Sequence, residues 1–166
     1  MRAFEEKDYR VFELFNKQWG LVTAGDGESY NTCTIAWGSM GTIWGAPGKG
    51  RPILTVYVHP DRFTHGFLQK SDSFTVSFFP EEYRDALLYL GSHSGRDGDK
   101  IAAAGLTPQK LENGVGFEEA RLTFVCRKLY QGQFRREGLA DEIGKGYYAK
   151  KEPHWMFVGE ILSVQE

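Results

Sequence analysis

Hydrophobic and polar side chains alternate along several segments of this chain, and the alternation predicts a mainly β protein. A period of two places successive side chains on opposite faces of a strand, so that one face can be buried and the other exposed. Strands are predicted over residues 20–24, 31–37, 52–58, 73–79, 118–134 and 155–164. The Asp-Gly-Glu sequence at 26–28 is typical of a turn and separates the first two strands.

The spacing of apolar residues changes in the middle of the chain, where short helices are predicted. Between 81 and 90, apolar residues fall at positions i, i+3, i+4 and i+7, which is the pattern of an amphipathic helix. Pro60 fits the first turn of an earlier helix, and Asp97 is expected to cap a later one over 99–104. Residues 8–18 fit either a short helix or an extended segment that leads into the first strand.

The order of these elements favours a closed or split β-barrel with short inserted helices. Two stretches are predicted to be irregular: a Gly-rich loop at 41–51 and a polar, Gly-bearing excursion at 135–153. A parallel, doubly wound sheet would need helices that alternate with strands throughout, and the C-terminal half has no such alternation. A length of 166 residues is predicted to form a single domain over 1–166.

Charge and composition exclude several classes of function. Twenty basic and 22 acidic residues give a net charge of −2, so no general attraction to nucleic acid or to an anionic membrane is expected. The N-terminus is too charged for a secretory signal, and no apolar run approaches the ~20 residues of a membrane span. We therefore expect a cytoplasmic protein.

Cysteine and histidine positions argue against a disulfide framework and against a metal site. Cys33 and Cys126 fall on separate predicted strands. The four histidines show no HExxH or CxxC spacing, so no metal is predicted. His59, His65 and His93 are expected to be surface or capping residues.

The strand at 31–37 is the first candidate site because one of its faces is unusually small. Thr32, Thr34 and Ala36 would share this face, and Cys33, Ile35 and Trp37 would share the other. A flat ring with its own donors and acceptors could pair with the accessible backbone, and Trp37 could cover the edge of the ring. The alternative is that the small face packs beneath a helix.

Two further segments have the composition of anion-binding turns. In the first, Pro60 favours a helix N-terminus, Arg62 offers a planar guanidinium and Thr64 a hydroxyl group, all suited to a phosphate. The alternative is that Arg62 is a solvated surface charge and Thr64 caps the backbone.

The second turn spans residues 94–100 and contains two glycines, which allow backbone amides to converge on an anion. Lys100 and Arg96 would supply positive charge. Asp97 is assigned to capping, and Asp99 to solvent or to an ion pair, because neither carboxylate can face a phosphate. The alternative is an exposed turn of mixed charge.

In this order, the three segments resemble the flavin reductase-like family of FMN-binding split barrels, which includes flavoredoxins. The resemblance runs from about Phe15 to the C-terminus. It implies a split β-barrel of Greek-key type that binds FMN, with Asn31 and Trp37 at the ring and Thr64 and Lys100 at the phosphate.

The resemblance also extends the candidate site to neighbouring residues. The cofactor-binding candidates are Asn31, Thr32, Cys33, Thr34, Trp37, Arg62, Phe63, Thr64, Ser94, Arg96 and Lys100. His154, which precedes the last strand, is the catalytic candidate on the substrate side, and the alternative is a polar residue at the start of a strand. Tyr147, Tyr148 and Trp155 lie close to His154 in the sequence and are candidates for lining the other face of the ring. The alternative is that these aromatic residues fill the barrel or a dimer interface.

The function implied is that of an FMN-dependent oxidoreductase, either an NAD(P)H:flavin reductase or a flavin-bound electron-transfer protein. NAD(P)H would be the co-substrate, the protein would be a homodimer, and a partner oxygenase or another electron acceptor would receive the electrons. Two alternatives stay open: a flavin-binding module for storage or sensing, without turnover, and a split barrel that binds another phosphorylated ring such as pyridoxal phosphate or deazaflavin.

Overall fold

A computed structural model describes residues 1–166 and contains one large antiparallel sheet of seven strands. Their spatial order is β2-β1-β5-β8-β9-β4-β3, so β2 and β3 are the edge strands. The seven strands are β1 (Gly20–Gly25), β2 (Tyr30–Ile35), β3 (Gly38–Ile43), β4 (Arg51–Val58), β5 (Ser73–Phe78), β8 (Leu122–Gln133) and β9 (Trp155–Gln165). A separate hairpin pairs β6 (Pro108–Leu111) with β7 (Gly114–Phe117).

Short helices connect the strands, and none of them is long and apolar enough to cross a membrane. The helices are α1 (Val11–Glu13), α2 (Phe63–Lys70), α3 (Arg84–Ser92) and α4 (Lys100–Ala103). A π-helical turn, Leu14–Gln18, continues α1, and a 3-10 turn, Glu81–Tyr83, precedes α3. Further short turns lie at Ala3–Glu6, Gly95–Asp97, Arg136–Gly138 and Glu142–Tyr147.

The mainly β, split-barrel prediction is confirmed, and each of the six predicted strands has a counterpart in the sheet. The structure contradicts the loop predicted at 41–51, because β3 (Gly38–Ile43) runs into it and pairs with β4. Main-chain pairing with a strong neighbouring strand outweighs the weak strand preference of the glycines in β3.

Two predictions about helix ends are wrong. Pro60 lies before α2 rather than in its first turn, because Arg62 is the N-cap residue and the helix begins at Phe63. Asp99, not Asp97, caps α4, and its carboxylate accepts a hydrogen bond from the Ala102 amide at 3.1 Å. An Asp directly before the first helical residue is better placed to reach the free amides of the first turn.

The main core lies inside the curved sheet. Its largest fully buried side chains include Phe74, Phe78, Phe124 and Phe157, which come from β5, β8 and β9. Gly159 on β9 allows this close packing, since a Cβ there would lie 2.6 Å from the Phe74 ring and 2.7 Å from Cys126 Cβ. The prediction for His65 is wrong, because its ring is buried edge-on against Trp155 and Phe157.

A smaller second core fixes α3 and α4 against the outside of the sheet. It joins Leu87 and Leu90 of α3 to Ile101 of α4 and to Leu21 and Phe117 of the neighbouring strands. The sheet curves so that β2 and β4 approach each other without pairing as strands. The opening of the split barrel is therefore bordered by β2, by the end of β4, and by α2 and α3.

Candidate functional site

A cavity of about 470 Å³ lies at this opening. Its walls are the end of β2 with the following residues Ala36 and Trp37, the end of β4 with the connection to α2, and residues from the segment before β9. These three parts are far apart in the sequence, and the curvature of the sheet brings them together.

The outer wall of the cavity consists of aromatic rings that pack against one another at tilted angles. The ring of Trp37, 40% exposed, lies 4.4 Å from that of His154 and 5.5 Å from that of Tyr147. Lys151 places its ammonium 3.7 Å from the Tyr147 ring centroid. A planar ligand entering this cavity would therefore meet an aromatic surface.

His154 is held neutral at physiological pH. Burial, together with charge repulsion from the nearby His59 and Lys151, lowers its pKa to about 4. Its Nδ1 lies 2.8 Å from the Tyr148 hydroxyl, and its ring lies 5.1 Å from that of His59. His59 in turn bonds to the Glu152 carbonyl at 3.0 Å.

A second group of polar residues lies beside this cavity, at the start of α2. The Thr64 hydroxyl donates to Asn31 Oδ1 at 2.7 Å, and both residues are buried. Gly95 closes over this pair, because a Cβ there would overlap Asn31 Nδ2 and approach Phe63 to 3.0 Å. The turn at 94–97 thus packs directly on Asn31, as a Gly at that position allows.

Two of the three predicted phosphate-binding cations, Arg62 and Lys100, donate to α3 in this structure. Arg62 Nη1 donates to the Gly91 carbonyl at 2.8 Å, and Lys100 Nζ donates to the Leu90 and His93 carbonyls at 3.2 and 3.0 Å. These carbonyls belong to the C-terminal end of α3, which lacks amide partners and carries negative partial charge. Each cation therefore caps this helix.

Arg62 and Lys100 nevertheless keep donors that α3 does not use. Arg62 Nη2 is buried and has no hydrogen-bond partner, and Arg62 lines the cavity. Lys100 is only 6% exposed, and burial lowers its pKa, as does the nearby Arg62 charge, although Cys33 opposes this. Two concentrated positive charges with spare N–H groups suit a phosphate.

Strand β2 meets the cavity by its edge rather than by its small face. Thr32 is fully buried and donates to the Val22 carbonyl, and Thr34 donates to the Leu87 carbonyl of α3 at 2.6 Å. The small face thus packs beneath a helix, as the alternative interpretation has it. Because β2 is an edge strand, half of its peptide groups have no strand partner.

The other predicted residues divide between this cavity and its surroundings. Cys33 lines the cavity, whereas Phe63 and Arg96 border a larger polar cavity of about 750 Å³ that also reaches Arg62. Ser94 accepts a hydrogen bond from the Arg96 amide and caps its own turn. Trp155 packs on His65 instead of lining the cavity.

Sequence reasoning missed Tyr57 and His59, which line the cavity from the end of β4, and Lys151. The pairing of β4 with β9 brings Val58 opposite Trp155, so the residues that follow β4 meet those that precede β9. No local motif marks such a long-range pairing. Covariation between the ends of the two strands is the signal that would have found it.

Comparisons with known proteins agree with this architecture. The family model for the flavin reductase like domain matches residues 12–166. An FMN-binding protein from Thermus thermophilus, solved with bound p-hydroxybenzaldehyde, is 29% identical, with a TM-score of 0.67 over 89% of this chain and 70% of that chain. No curated protein matches the sequence.

More distant structures share the fold. A flavoredoxin from Methanosarcina acetivorans is 21% identical, with a TM-score of 0.68 over 90% of this chain and 68% of that chain. An NADH:FAD oxidoreductase from Streptomyces globisporus, solved with NAD and FAD fragments, is 18% identical, with a TM-score of 0.63 over 95% and 79%. With a family match over nearly its whole length, this chain belongs to the flavin reductase like domain family.

Proposed function

We propose that this protein is an FMN-dependent oxidoreductase, with FMN bound at the opening of the split barrel and NAD(P)H as its hydride donor. The observation that carries the proposal is the juxtaposition of an aromatic-walled cavity with a buried group of cations and hydroxyls at the start of α2. A cofactor with a flat ring at one end and a phosphate at the other requires these two environments side by side.

The residues at each end have distinct roles. The free edge of β2 and Trp37 would hold the ring, with Asn31 at the junction of the two environments. The spare donors of Arg62 and Lys100 would bind the phosphate, and the Thr64 hydroxyl would join them by exchanging its hydrogen bond to Asn31 for one to the phosphate. The peptide groups of the edge strand give the ring a fixed set of donors and acceptors, which cost little conformational entropy to present.

Bound FMN supplies the redox chemistry, since a flavin accepts a hydride or single electrons without help from protein acids. The chain's own part is to orient the ring, exclude water from one face and control access from the other. A neutral His154 suits this role because it adds no positive charge beside an incoming nicotinamide. The T. thermophilus FMN-binding protein and the S. globisporus NADH:FAD oxidoreductase support this assignment by similarity.

The chain's surface favours a homodimer that covers the cavity from outside. A groove of about 790 Å³, lined mostly by apolar residues, lies next to the cavity and shares Ala36, Trp37 and Tyr57 with it. Phe12 borders this groove and is 93% exposed, which is costly for an unpartnered monomer. A second copy of the chain seated here would continue the aromatic wall of the site.

The reduced cofactor would pass its electrons to a partner oxygenase or to another acceptor. Tight binding of FMN would make the protein an electron carrier, and weak binding would make it a reductase that releases reduced flavin. A cytoplasmic location stays a prediction from the sequence.

Anaerobic titration of the purified, FMN-loaded protein with NADH and then NADPH tests this function. We expect one of the nucleotides to bleach the flavin absorption band. A yellow protein that neither nucleotide bleaches would instead be a flavin-binding module without turnover. Release of a chromophore other than FMN on denaturation would assign the site to a different phosphorylated ring.

A further inference from the structure

Tyr148 is a buried residue in the segment between β8 and β9, only 3% exposed. Its hydroxyl oxygen lies 2.8 Å from His154 Nδ1. The same oxygen accepts a hydrogen bond from the His154 backbone amide at 3.3 Å. Tyr148 therefore contacts both the backbone and the ring of the histidine that lines the cavity.

This geometry determines which nitrogen of His154 carries the proton. A phenol has one proton, and its oxygen is already an acceptor for the His154 amide. A buried hydroxyl proton needs an acceptor, and His154 Nδ1 is the one within reach. Nδ1 must then accept, so the single proton of the neutral imidazole lies on Nε2.

We propose that Tyr148 is a positioning residue that fixes His154 as the Nε2–H tautomer, and that this N–H donates to a carbonyl oxygen of a ligand in the cavity. The choice of ligand rests on the proposed function. The acceptor is a carbonyl of the bound flavin ring or that of a small carbonyl compound, since the T. thermophilus relative was solved with an aromatic aldehyde.

The surrounding segment is built to hold Tyr148 in place. Arg136 Nη1 donates to the carbonyls of Gly144 and Tyr148 at 3.2 and 2.9 Å, and its Nη2 donates to that of Lys151 at 2.8 Å. One guanidinium thus ties three points of the segment together. This arrangement fixes the tyrosine backbone and leaves its hydroxyl as the contact to His154.

Other groups around His154 do not compete for Nδ1. His59 approaches edge-on and directs its own nitrogens to the Glu152 carbonyl and the Asp61 amide. Lys151 has its ammonium over the Tyr147 ring. Trp37 packs against the imidazole with its ring tilted by 41°, and it forms no hydrogen bond to either nitrogen.

Nitrogen-15 NMR of the histidine side chains in flavin-free protein reads the tautomer directly, and His154→Gln identifies the signal. We expect a protonated Nε2 and an acceptor Nδ1 in the wild type. Tyr148→Phe, which removes only the hydroxyl, should give a mixture of tautomers and a higher protonation midpoint. Tyr147→Phe, the matched control on the same segment, should keep the wild-type signals.

An Nδ1–H tautomer in the wild type would overturn the proposal, and this holds even if Tyr148→Phe fails to fold. An unchanged tautomer in a folded Tyr148→Phe protein would overturn it as well. Neither measurement needs a cofactor. If the wild type binds no FMN, the proposed function fails while the tautomer assignment stands or falls by itself.

Binding measurements identify the acceptor. If a small carbonyl compound is the acceptor, Tyr148→Phe should weaken the binding of p-hydroxybenzaldehyde about tenfold. The binding of p-cresol, which has the same ring without the carbonyl, should be unchanged. A similar loss of affinity for both FMN and riboflavin would instead identify a carbonyl of the flavin ring as the acceptor. No loss with any of these carbonyl compounds, or an equal loss for the aldehyde and p-cresol, would overturn the donor role.

Discussion

Replacing Lys100 with Met separates the two roles of this residue, because Met keeps most of the aliphatic stem and removes the ammonium. In the absence of ligand, Lys100 Nζ donates to two carbonyls at the end of α3. A hydrogen bond from a charged donor contributes ~1.5–3 kcal/mol. A buried ammonium also has a desolvation cost that Met removes, so we expect a net loss of only about 1–2 kcal/mol in the free energy of unfolding.

The effect on FMN binding should be larger and specific to the phosphate. Loss of one charge-assisted contact of ~1.5–3 kcal/mol raises the Kd for FMN by about tenfold or more. Riboflavin has the same ring without the phosphate, so its affinity should be unchanged. Fluorescence titration with both ligands, together with urea unfolding of each variant, measures the two effects independently.

Lys128 provides the matched control within the same chain. Its Nζ donates to the Leu68 and Gln69 carbonyls near the end of α2 at 2.7 and 2.9 Å, which is the arrangement that Lys100 has at α3. Lys128→Met should lose stability as Lys100→Met does, yet bind FMN normally. An unchanged FMN affinity in Lys100→Met, or an equal loss in both variants, would remove Lys100 from the phosphate site.

Three other variants or conditions give sharp expectations. Between pH 6.5 and about 4 the unfolded chain binds a proton at His154 that the folded chain does not, so stability should fall as the pH is lowered through this range. Full burial would make this pKa shift worth about 3 kcal/mol, and solvent screening of the half-buried ring reduces it to about 1–2 kcal/mol. Urea unfolding at pH 7 and 4.5 should therefore show a smaller loss of stability in His154→Gln than in the wild type. Gly95→Ala should weaken FMN binding and lower Tm because its Cβ would overlap Asn31 Nδ2. The control Gly66→Ala, in the open middle of α2, should be neutral or stabilising by about 0.5–1 kcal/mol. Equal effects of the two substitutions would contradict the packing of the turn on Asn31. Phe12→Asp should convert a dimer to a monomer in light scattering, and a wild-type monomer would refute the proposed interface.

The parts of the fold that could be predicted from sequence are those with strong side-chain patterns. β5 alternates clearly, and the apolar stripe of α3 appears where the period changes. β3 was missed because its glycines carry no pattern and its stability comes from pairing with β4. The β6–β7 hairpin was missed as well, although Asn113-Gly114 is a strong turn signal and Gly114 has a φ of 147°.

The sequence marked several residues that lie around the barrel opening, but not how their side chains are oriented. Residue types suited to an anion marked Arg62, Thr64 and Lys100, and the structure brings them to one side of the barrel opening. Nothing local in the sequence shows that Arg62 and Lys100 cap α3. The contact of Tyr148 with His154 likewise depends on the fold of the whole segment that Arg136 ties together.

Equilibrium titration of the flavin-depleted protein with FMN, read by quenching of flavin fluorescence, tests the central claim most directly. A cradle formed by the β2 edge, the Trp37–His154 wall and the cations at α2 predicts saturable binding at micromolar concentration or tighter, with FMN preferred over riboflavin. Purified protein that is colourless and shows no saturation at micromolar FMN would contradict the assignment of this cavity to a flavin.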